Sequence, residues 1–177
     1  MNSENIFKIL ASSFREKEVR ALLIGGYAVN SYRVTRHTAD IDFMVTRSDL
    51  DKIETFLSGE GYSRRNNHSV FVQFGAEGRR DIDLMLSDDE TFEQMWSRSR
   101  ETAIAGEKFR VPHLHHLIAL KLHSIKYNPH RELLDYPDIV HLVQANGIDV
   151  ESSDIESIFS KHAPSGLYEK LLGFIRK

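Results

Sequence analysis

The sequence of 177 residues contains no cysteine, only four prolines and a single tryptophan. The absence of cysteine excludes disulfide bonds, thiolate metal sites and cysteine nucleophiles, and it is compatible with a cytosolic protein. No apolar run approaches the roughly 20 residues of a membrane-spanning helix, because the run at 21–24 ends at Gly25 and Gly26. The first ten residues carry no basic segment before an apolar core, so they do not predict a signal peptide. We therefore expect a cytoplasmic protein that does not interact with membranes.

An excess of positive charge is also missing. The formal net charge is −3, whereas a protein that binds a long nucleic acid usually has a basic balance. The charges are unevenly placed: residues 108–131 contain five Lys or Arg and no Asp or Glu, while residues 132–177 contain eight acids and four bases. The basic segment suits an anion as small as a triphosphate.

The first part of the chain has the pattern of a mixed α/β structure. Apolar spacing and glycine breaks predict strands at 21–24, 40–45, 69–74, 80–86, 102–104 and 108–111, the last four as two hairpins, and helices at 1–18, 27–32, 48–58 and 87–98. Ser48 with Asp51, and Ser87 with Glu90, resemble capping boxes at two of these helix starts. The pattern predicts a mixed sheet flanked by helices.

After Pro112 the apolar spacing becomes helical. Further helices are predicted at 136–145, 153–161 and 165–175. Pro137 is tolerated in a first helical turn, which places the start of its helix at Asp135 or Tyr136. We expect an α/β core over residues 1–111 and a C-terminal helical lobe over 112–177, together one compact unit.

The strongest chemical signal is a nearly duplicated acidic strand. Asp40–Val45 reads Asp-Ile-Asp-Phe-Met-Val, and Asp81–Leu86 reads Asp-Ile-Asp-Leu-Met-Leu. Side chains alternate faces along a strand, so the aspartates of each segment share one face. If the two strands are neighbours, about 4.8 Å apart, three or four carboxylates meet in one small patch. Such a patch raises carboxylate pKa values unless a cation lies between the side chains.

A divalent cation with oxygen ligands resolves this repulsion, and Mg²⁺ suits a site that also holds substrate phosphates. The alternative is that the aspartates only solvate the polar face of a half-exposed sheet. Aspartate is depleted in strands, so two such segments favour the metal site.

A Gly25-Gly26 pair lies between the first predicted strand and the next helix. Glycine permits a tight turn and close backbone approach, and N–H groups at a helix start attract phosphate. An ordinary strand-to-helix turn uses the same residues, so the pair alone is a weak signal. Its place before the acidic strand would bring a phosphate on the turn to a metal on the carboxylates.

These motifs, in this order, resemble a known superfamily. The resemblance to the nucleotidyltransferases typified by DNA polymerase beta rests on Gly25, Gly26, Arg36, Thr38, Asp40 and Asp42, followed by the second acidic strand. Downstream, Lys121 on one helix and Arg131, Asp135 and Asp138 around the next resemble the AbiEii-like nucleotidyltransferases of abortive-infection toxin–antitoxin systems.

The resemblance implies a nucleotidyltransferase fold and a metal-dependent enzyme that moves a nucleoside monophosphate from an NTP to an acceptor hydroxyl. Asp40, Asp42 and Asp83 would hold Mg²⁺ or Mn²⁺ and carry catalysis, with Asp81 as the second choice for the third carboxylate. The implied nucleotide-binding residues are Gly25, Gly26, Arg36, Thr38, Lys121 and Asp138.

Several alternatives stay open at this point. The acceptor is a tRNA 3′ end, a protein or a small molecule, and the resemblance adds a toxin role with an antitoxin partner. A nucleotide- or partner-binding module without turnover, and a structural protein with acidic surface strands, are the competing classes. Lys121 also fits a lysine that extends from an apolar helix to solvent. The pairs Arg64-Arg65 and Arg79-Arg80 are predicted to be surface charges of the hairpin, with an RNA contact as the alternative.

Overall fold

The computed structural model describes residues 3–66 and 68–176. Within these residues the helices are α1 (Ser3–Glu16), α2 (Gly25–Asn30), α3 (Leu50–Gly59), α4 (Asp89–Ser97), α5 (Leu114–Tyr127), α6 (Glu132–Asn146), α7 (Ser153–His162) and α8 (Leu167–Ile175). The strands are β1 (Ala21–Leu23), β2 (Ile41–Thr46), β3 (Ser63–Arg64), β4 (Phe71–Gly75), β5 (Ile82–Ser87), β6 (Arg100–Ile104) and β7 (Glu107–Val111). No helix in the described part of the chain is both long and apolar enough to cross a membrane.

The seven strands form one mixed sheet in the order β3-β4-β5-β2-β1-β7-β6. At its centre, β2 runs parallel to β5 and antiparallel to β1. The pairs β4–β5 and β6–β7 are antiparallel hairpins, as their glycine-containing connections predict. The predicted mixed α/β class is therefore confirmed. The two-residue strand β3, too short for any periodic signal, was not predicted.

One face of the central strands belongs to the hydrophobic core. Ile41, Phe43 and Val45 of β2 are fully buried, and each such side chain contributes about 1.5–3 kcal/mol through burial. Phe14 of α1 packs edge-on against Phe43, with ring centroids 5.0 Å apart. Because strand side chains alternate, the polar side chains of β2 lie on the opposite face.

The chain divides into two compact units. The first consists of the residues up to Ser31 together with Arg36–Pro112, and it contains the whole sheet. The second consists of Tyr32–Thr35 and the chain from His113 onward, where α5 packs against α6 and α7. The predicted helical lobe did not include Tyr32–Thr35. Within the second unit, the Asn146 amide donates a hydrogen bond to the Tyr32 carbonyl oxygen over 2.9 Å.

Both predicted capping boxes are wrong. β2 and β5 extend to Thr46 and Ser87, one residue beyond the predicted strands, so the helices after them start later. The Ser48 hydroxyl is hydrogen-bonded to the Thr46 hydroxyl at 3.0 Å instead of capping α3. At α4 the cap is Asp88, whose carboxylate accepts a hydrogen bond from the Thr91 N–H over 2.8 Å.

Two helix starts also differ from the prediction. α2 begins at Gly25 itself rather than at residue 27, so the glycines form its first turn. α6 begins at Glu132 and contains Pro137 as its sixth residue. The proline removes one main-chain hydrogen bond near the exposed first turn. Asp135 and Asp138, on either side of it, are both anchored to one buried lysine of α5.

Candidate active site

Sheet topology brings the Gly25-Gly26 turn, here called the glycine turn, and the starts of the two acidic strands, β2 and β5, to one end of the sheet. β1 is antiparallel to β2, with Leu23 opposite Phe43, so β1 ends where β2 begins. β5 is parallel to β2 and begins at the same end. The Ile24 N–H donates a hydrogen bond to the Asp42 carbonyl oxygen over 2.9 Å, which joins the turn to the acidic strand.

Asp42 and Asp83 occupy directly paired positions on β2 and β5. Neighbouring strands lie about 4.8 Å apart, so the two side chains leave the sheet side by side on its polar face. Asp42 is half-buried, and Asp83 is only 8% exposed. The carboxylates that the sequence placed on one face therefore do meet across neighbouring strands.

The carboxyl group of Asp83 is in an unfavourable environment for a negative charge. Its burial, and next the charge of Asp42, raise its pKa to about 6, and a hydrogen bond from Gln73 on β4 only partly offsets this. The charges of Asp40 and Asp81 raise the pKa further. Its Oδ1 atom is buried and has no hydrogen-bond partner among the described residues. A buried carboxylate oxygen without a donor, beside a second carboxylate, fits a cation ligand.

Asp81 has a different environment from Asp83. Its Oδ2 lies 2.7 Å from a guanidinium nitrogen of Arg65, so its charge is balanced by an ion pair. Arg65 lies over Gly75 of β4, where a Cβ atom would be 1.9 Å from its Nε. Of the two candidates for the third carboxylate, Asp83 is thus the one that lies opposite Asp42 and makes no ion pair with the described residues.

The glycine turn lies directly against the acidic strand. Gly25 has φ +61°, and a Cβ atom there would be 2.0 Å from Oδ2 of Asp42. A Cβ at Gly26 would be 2.4 Å from Oγ1 of Thr38. α2 has only six residues, so the contribution of this turn is close backbone approach rather than a helix dipole. Both glycines are required sterically, and both side chains that they face are predicted site residues.

Substitution of Gly25 tests this close approach. Gly25→Ala is expected to lower the free energy of unfolding by about 1–2 kcal/mol through φ strain. It should lower the activity that the resemblance implies much further, because Asp42 is displaced. Gly147→Ala is the matched control, with φ +60° and open space where its Cβ would lie. It should show similar strain and full activity. The measurements are kcat/KM and the free energy of unfolding in denaturant. If both quantities fall equally in the two variants, the steric role of Gly25 is contradicted.

The loop that leads into β2 is held by Asn30 and Arg80, which the sequence did not indicate as residues of the site. The side-chain amide of Asn30 accepts a hydrogen bond from the Arg36 N–H over 3.1 Å and donates one to the Arg36 carbonyl over 3.0 Å. Arg80 donates to the carbonyl oxygens of Thr38 and Ala39, both at 2.8 Å. The prediction that Arg80 is a hairpin surface charge is wrong, because it anchors the loop before Asp40. A long-range contact to carbonyl oxygens leaves no sequence signal.

Lys121 and Asp138 lie in the second unit, in a buried ionic cluster. The Lys121 ammonium is 2.9 Å from Asp135 Oδ1 and 2.7 Å from Asp138 Oδ2, and all three side chains are at most 7% exposed. Arg131 adds a contact of 3.0 Å to Asp135. Burial alone would raise the pKa of Asp135, but Lys121 and Arg131 hold it below its usual range. The solvent-extended alternative for Lys121 is wrong, since its charge is buried and paired.

No three His, Asp or Glu side chains in residues 3–66 and 68–176 form a ready-made metal-ligand group. Mg²⁺ commonly uses one or two protein carboxylates and completes its shell with water and substrate phosphates. The paired Asp42 and Asp83 could provide two such ligands, and Asp40 precedes β2 at the same end of the sheet.

Solved structures share this fold. ANT(2″)-Ia in complex with adenylyl-2″-tobramycin is 17% identical, with a TM-score of 0.66 and coverage of 98% of each chain. The lincosamide antibiotic adenylyltransferase LnuA, bound to lincomycin, is 20% identical, with a TM-score of 0.59 over 82% of this chain and 98% of that one. An antigenic nucleotidyltransferase-like protein from Paracoccidioides brasiliensis is 14% identical, with a TM-score of 0.60 over 98% and 90%. These likenesses confirm the nucleotidyltransferase fold.

A family model described as "Uncharacterised nucleotidyltransferase" matches residues 4–167, and the chain belongs to this family. No significant match to a curated protein was found. The predicted enzyme class, a nucleotidyltransferase, is thereby confirmed. The closer kinship with AbiEii-like toxins stays a prediction.

Proposed function

We propose that this nucleotidyltransferase depends on Mg²⁺ or Mn²⁺ and that Asp40, Asp42 and Asp83 hold the ions. The observation that carries the proposal is the cross-strand pair of Asp42 and Asp83, in which a buried oxygen of Asp83 has no donor in residues 3–66 and 68–176. A divalent cation there would neutralise the carboxylates and polarise the α-phosphate of the NTP. The carboxylates repel each other in the metal-free site, and a bound cation would relieve this repulsion, which favours its binding.

The glycine turn is the proposed binding site of the triphosphate. Its two residues without side chains bring the backbone next to Asp42 and Thr38, and a phosphate there lies beside the metal ligands. Thr38 and Arg36 line the same turn, on the loop that Asn30 and Arg80 hold in place. In this proposal the glycine turn, Arg36 and Thr38 bind and orient the leaving pyrophosphate.

Asp83 is the proposed proton acceptor of the transfer step. The acceptor hydroxyl oxygen forms a bond to the α-phosphorus, and the bond from that phosphorus to the oxygen bridging to the β-phosphate breaks. Pyrophosphate leaves, and the hydroxyl proton moves to the Asp83 carboxylate. The pKa of about 6 that burial and the neighbouring Asp42 give this carboxyl group belongs to the metal-free site. A bound cation would lower this pKa, so Asp83 would be ionised and able to accept the proton near neutral pH.

The assignment of Lys121 and Asp138 to nucleotide binding came from the resemblance. Their mutual contacts favour a structural role instead, because an ammonium that is 2.7–2.9 Å from two buried carboxylates has its charge already compensated. We propose that they stabilise the packing of α5 against α6.

ATP and a small-molecule acceptor are the substrates that we favour. Two structural neighbours are an enzyme in complex with adenylyl-2″-tobramycin and a lincomycin-bound adenylyltransferase, which supports adenylyl transfer to a small hydroxyl compound. A tRNA 3′ end and a protein acceptor are the alternatives. A toxin role with an antitoxin partner rests on the resemblance alone and stays a prediction.

Thermal unfolding with Mg²⁺ or Mn²⁺ and each of the four NTPs tests the proposed site. A ligand at a hundredfold excess over its Kd stabilises the folded state by about 2.7 kcal/mol. We expect a metal-dependent shift with ATP in the wild type and none in Asp42→Asn. Asp89→Asn, an exposed carboxylate at the start of α4, should behave like the wild type. An unchanged shift in Asp42→Asn would contradict the site assignment, and a shift without pyrophosphate release for any acceptor would favour the binding module.

A further inference from the structure

We propose that a cavity beside Asp40 is the acceptor site and that it takes a small, hydroxyl-rich molecule without negative charge. The inference rests on the proposed function and names the acceptor class for that site. The cavity has a volume of about 650 Å³ and lies wholly within the first unit. Its charged lining consists of Asp40, Arg65, Glu77, Arg79, Arg80 and Asp81.

The cavity adjoins the carboxylates through Asp40 and Asp81, and neither glycine of the turn belongs to its lining. β1, which leads into Gly25, is the neighbour of β2 on one side. β5, β4 and β3 follow on the other side, and their connecting segments supply Tyr62, Arg65 and the turn 76–81 to the cavity wall. An in-line displacement at phosphorus needs the attacking and leaving oxygens on opposite sides. With pyrophosphate at the glycine turn, the acceptor hydroxyl arrives from the β5 side.

The size of the cavity fits a small molecule. Pockets for small ligands typically have volumes of about 300–1,000 Å³, and this cavity lies within that range. Part of its wall is apolar, contributed by Ile6, Ile9, Ala39 and Ala76. Such a wall covers the C–H surface of a ring, while the charged side chains face its polar substituents.

The charges of the cavity argue against a phosphate-bearing acceptor. Three arginines and three acidic side chains line it, so it has no excess positive charge with which to hold a phosphodiester backbone. Each arginine is also held within the protein: Arg65 by Asp81, Arg79 by the Glu60 carbonyl and Arg80 by the Thr38 and Ala39 carbonyls.

What this arrangement offers is hydrogen-bond donors and acceptors side by side. A guanidinium group has five N–H donors, and a carboxylate has only acceptor oxygens. The Arg79 guanidinium, 5.7 Å from the centre of the Tyr62 ring, uses one nitrogen for its carbonyl contact. Glu77 makes no ion pair within the described residues. A hydroxyl group both donates and accepts, so a polyol or saccharide ring can satisfy both kinds of group together.

The first part of the test is an acceptor panel, with pyrophosphate release as the readout. The panel contains mono- and disaccharides, amino sugars and cyclitols, and it is compared with total tRNA and with a denatured protein mixture, at saturating ATP and Mg²⁺. We expect release with a member of the small-molecule panel and none with tRNA or protein. Release with tRNA or protein alone, or with nothing in the panel, would overturn the proposal.

The second part fills the cavity. Ala76 lies in its wall, and Ala76→Trp should raise the KM of the saccharide acceptor at least tenfold while the ATP-dependent thermal shift is unchanged. Ala103→Trp, on the exposed face of β6, controls for a surface tryptophan. Unchanged acceptor kinetics in Ala76→Trp would overturn the location. If ATP produces no thermal shift in the wild-type protein, the proposed function itself is overturned. The two failures are therefore distinguishable.

Discussion

Asp83→Asn is expected to lower turnover about a thousandfold or more and, at the same time, to make the metal-free protein more stable. The loss of turnover follows because the variant removes a metal-binding oxygen and a proton acceptor together, effects that each supply several kcal/mol of transition-state stabilisation. The gain in stability follows from the raised pKa of Asp83, about 6, which burial and the Asp42 charge cause. The two changes have opposite signs, and this distinguishes a site residue from a structural one.

The pH dependence has a defined direction. Between pH 4 and 6 the folded protein binds more protons at Asp83 than the unfolded chain, since its pKa is raised from 3.8 to about 6. The free energy of unfolding of the wild type therefore falls as pH rises through this window. A difference of this size corresponds to up to about 3 kcal/mol. Asp83→Asn should thus be more stable than the wild type at pH 8 in EDTA, and the difference should disappear near pH 4.

The matched control for stability is Asp81→Asn, two residues earlier in the chain. Its carboxylate is paired with Arg65, and its charge is the smallest of the causes that raise the pKa of Asp83, so its removal should stabilise the protein at pH 8 much less than Asp83→Asn. The free energy of unfolding of the wild type, Asp83→Asn and Asp81→Asn is measured with denaturant at pH 4 and pH 8. If Asp83→Asn gains nothing at pH 8, the carboxylate is not strained by its neighbours. If it keeps its turnover while Asp81→Asn loses it, Asp81 is the third carboxylate.

The face that each aspartate occupies could be predicted from the sequence, but the pairing could not. Alternation along β2 and β5 places their aspartates on the face of the sheet that points away from the apolar core, and Asp42 and Asp83 lie on that face in the structure. The parallel register that sets Asp42 beside Asp83 depends on β5 pairing with β2 across about forty residues. Asp40 and Asp81 begin the same pattern, yet among the described residues Asp81 alone of the two has an arginine partner, because Arg65, which follows β3, lies over Gly75. No local pattern encodes that contact.

Local signals also failed where a tertiary contact decided the structure. Pro137 predicted a later helix start, but the bonds from Asp135 and Asp138 to Lys121 hold the helix on both sides of the proline. Arg80 was expected on the surface, and it binds two carbonyl oxygens about forty residues away. In both cases the partner is distant in sequence, so periodicity and capping rules do not detect it.

Lys121→Met is expected to lower the free energy of unfolding by about 3–5 kcal/mol, the range for removing one partner of a buried ion pair. Lys121 lies within 2.9 Å of Asp135 and 2.7 Å of Asp138, and neither carboxylate is more than 5% exposed. Without the ammonium, two buried carboxylates lose the partner that they share, and Arg131 still contacts Asp135. The midpoint of thermal unfolding should fall by roughly 10 °C, at about 2–4 °C per kcal/mol for a chain of this length.

Two further variants separate the ion pairs from the packing of the side chain. Lys126→Met, on the exposed side of the same helix, should change the free energy of unfolding by less than about 0.5 kcal/mol. Lys121→Met combined with Asp135→Asn and Asp138→Asn should recover part of the loss, because the uncompensated charges are then gone. If Lys121→Met unfolds like the wild type and instead raises the KM for ATP, the lysine binds the nucleotide and the structural role is contradicted. If it is destabilised but the residual folded protein binds ATP normally, its effect on activity comes through the stability of the second unit.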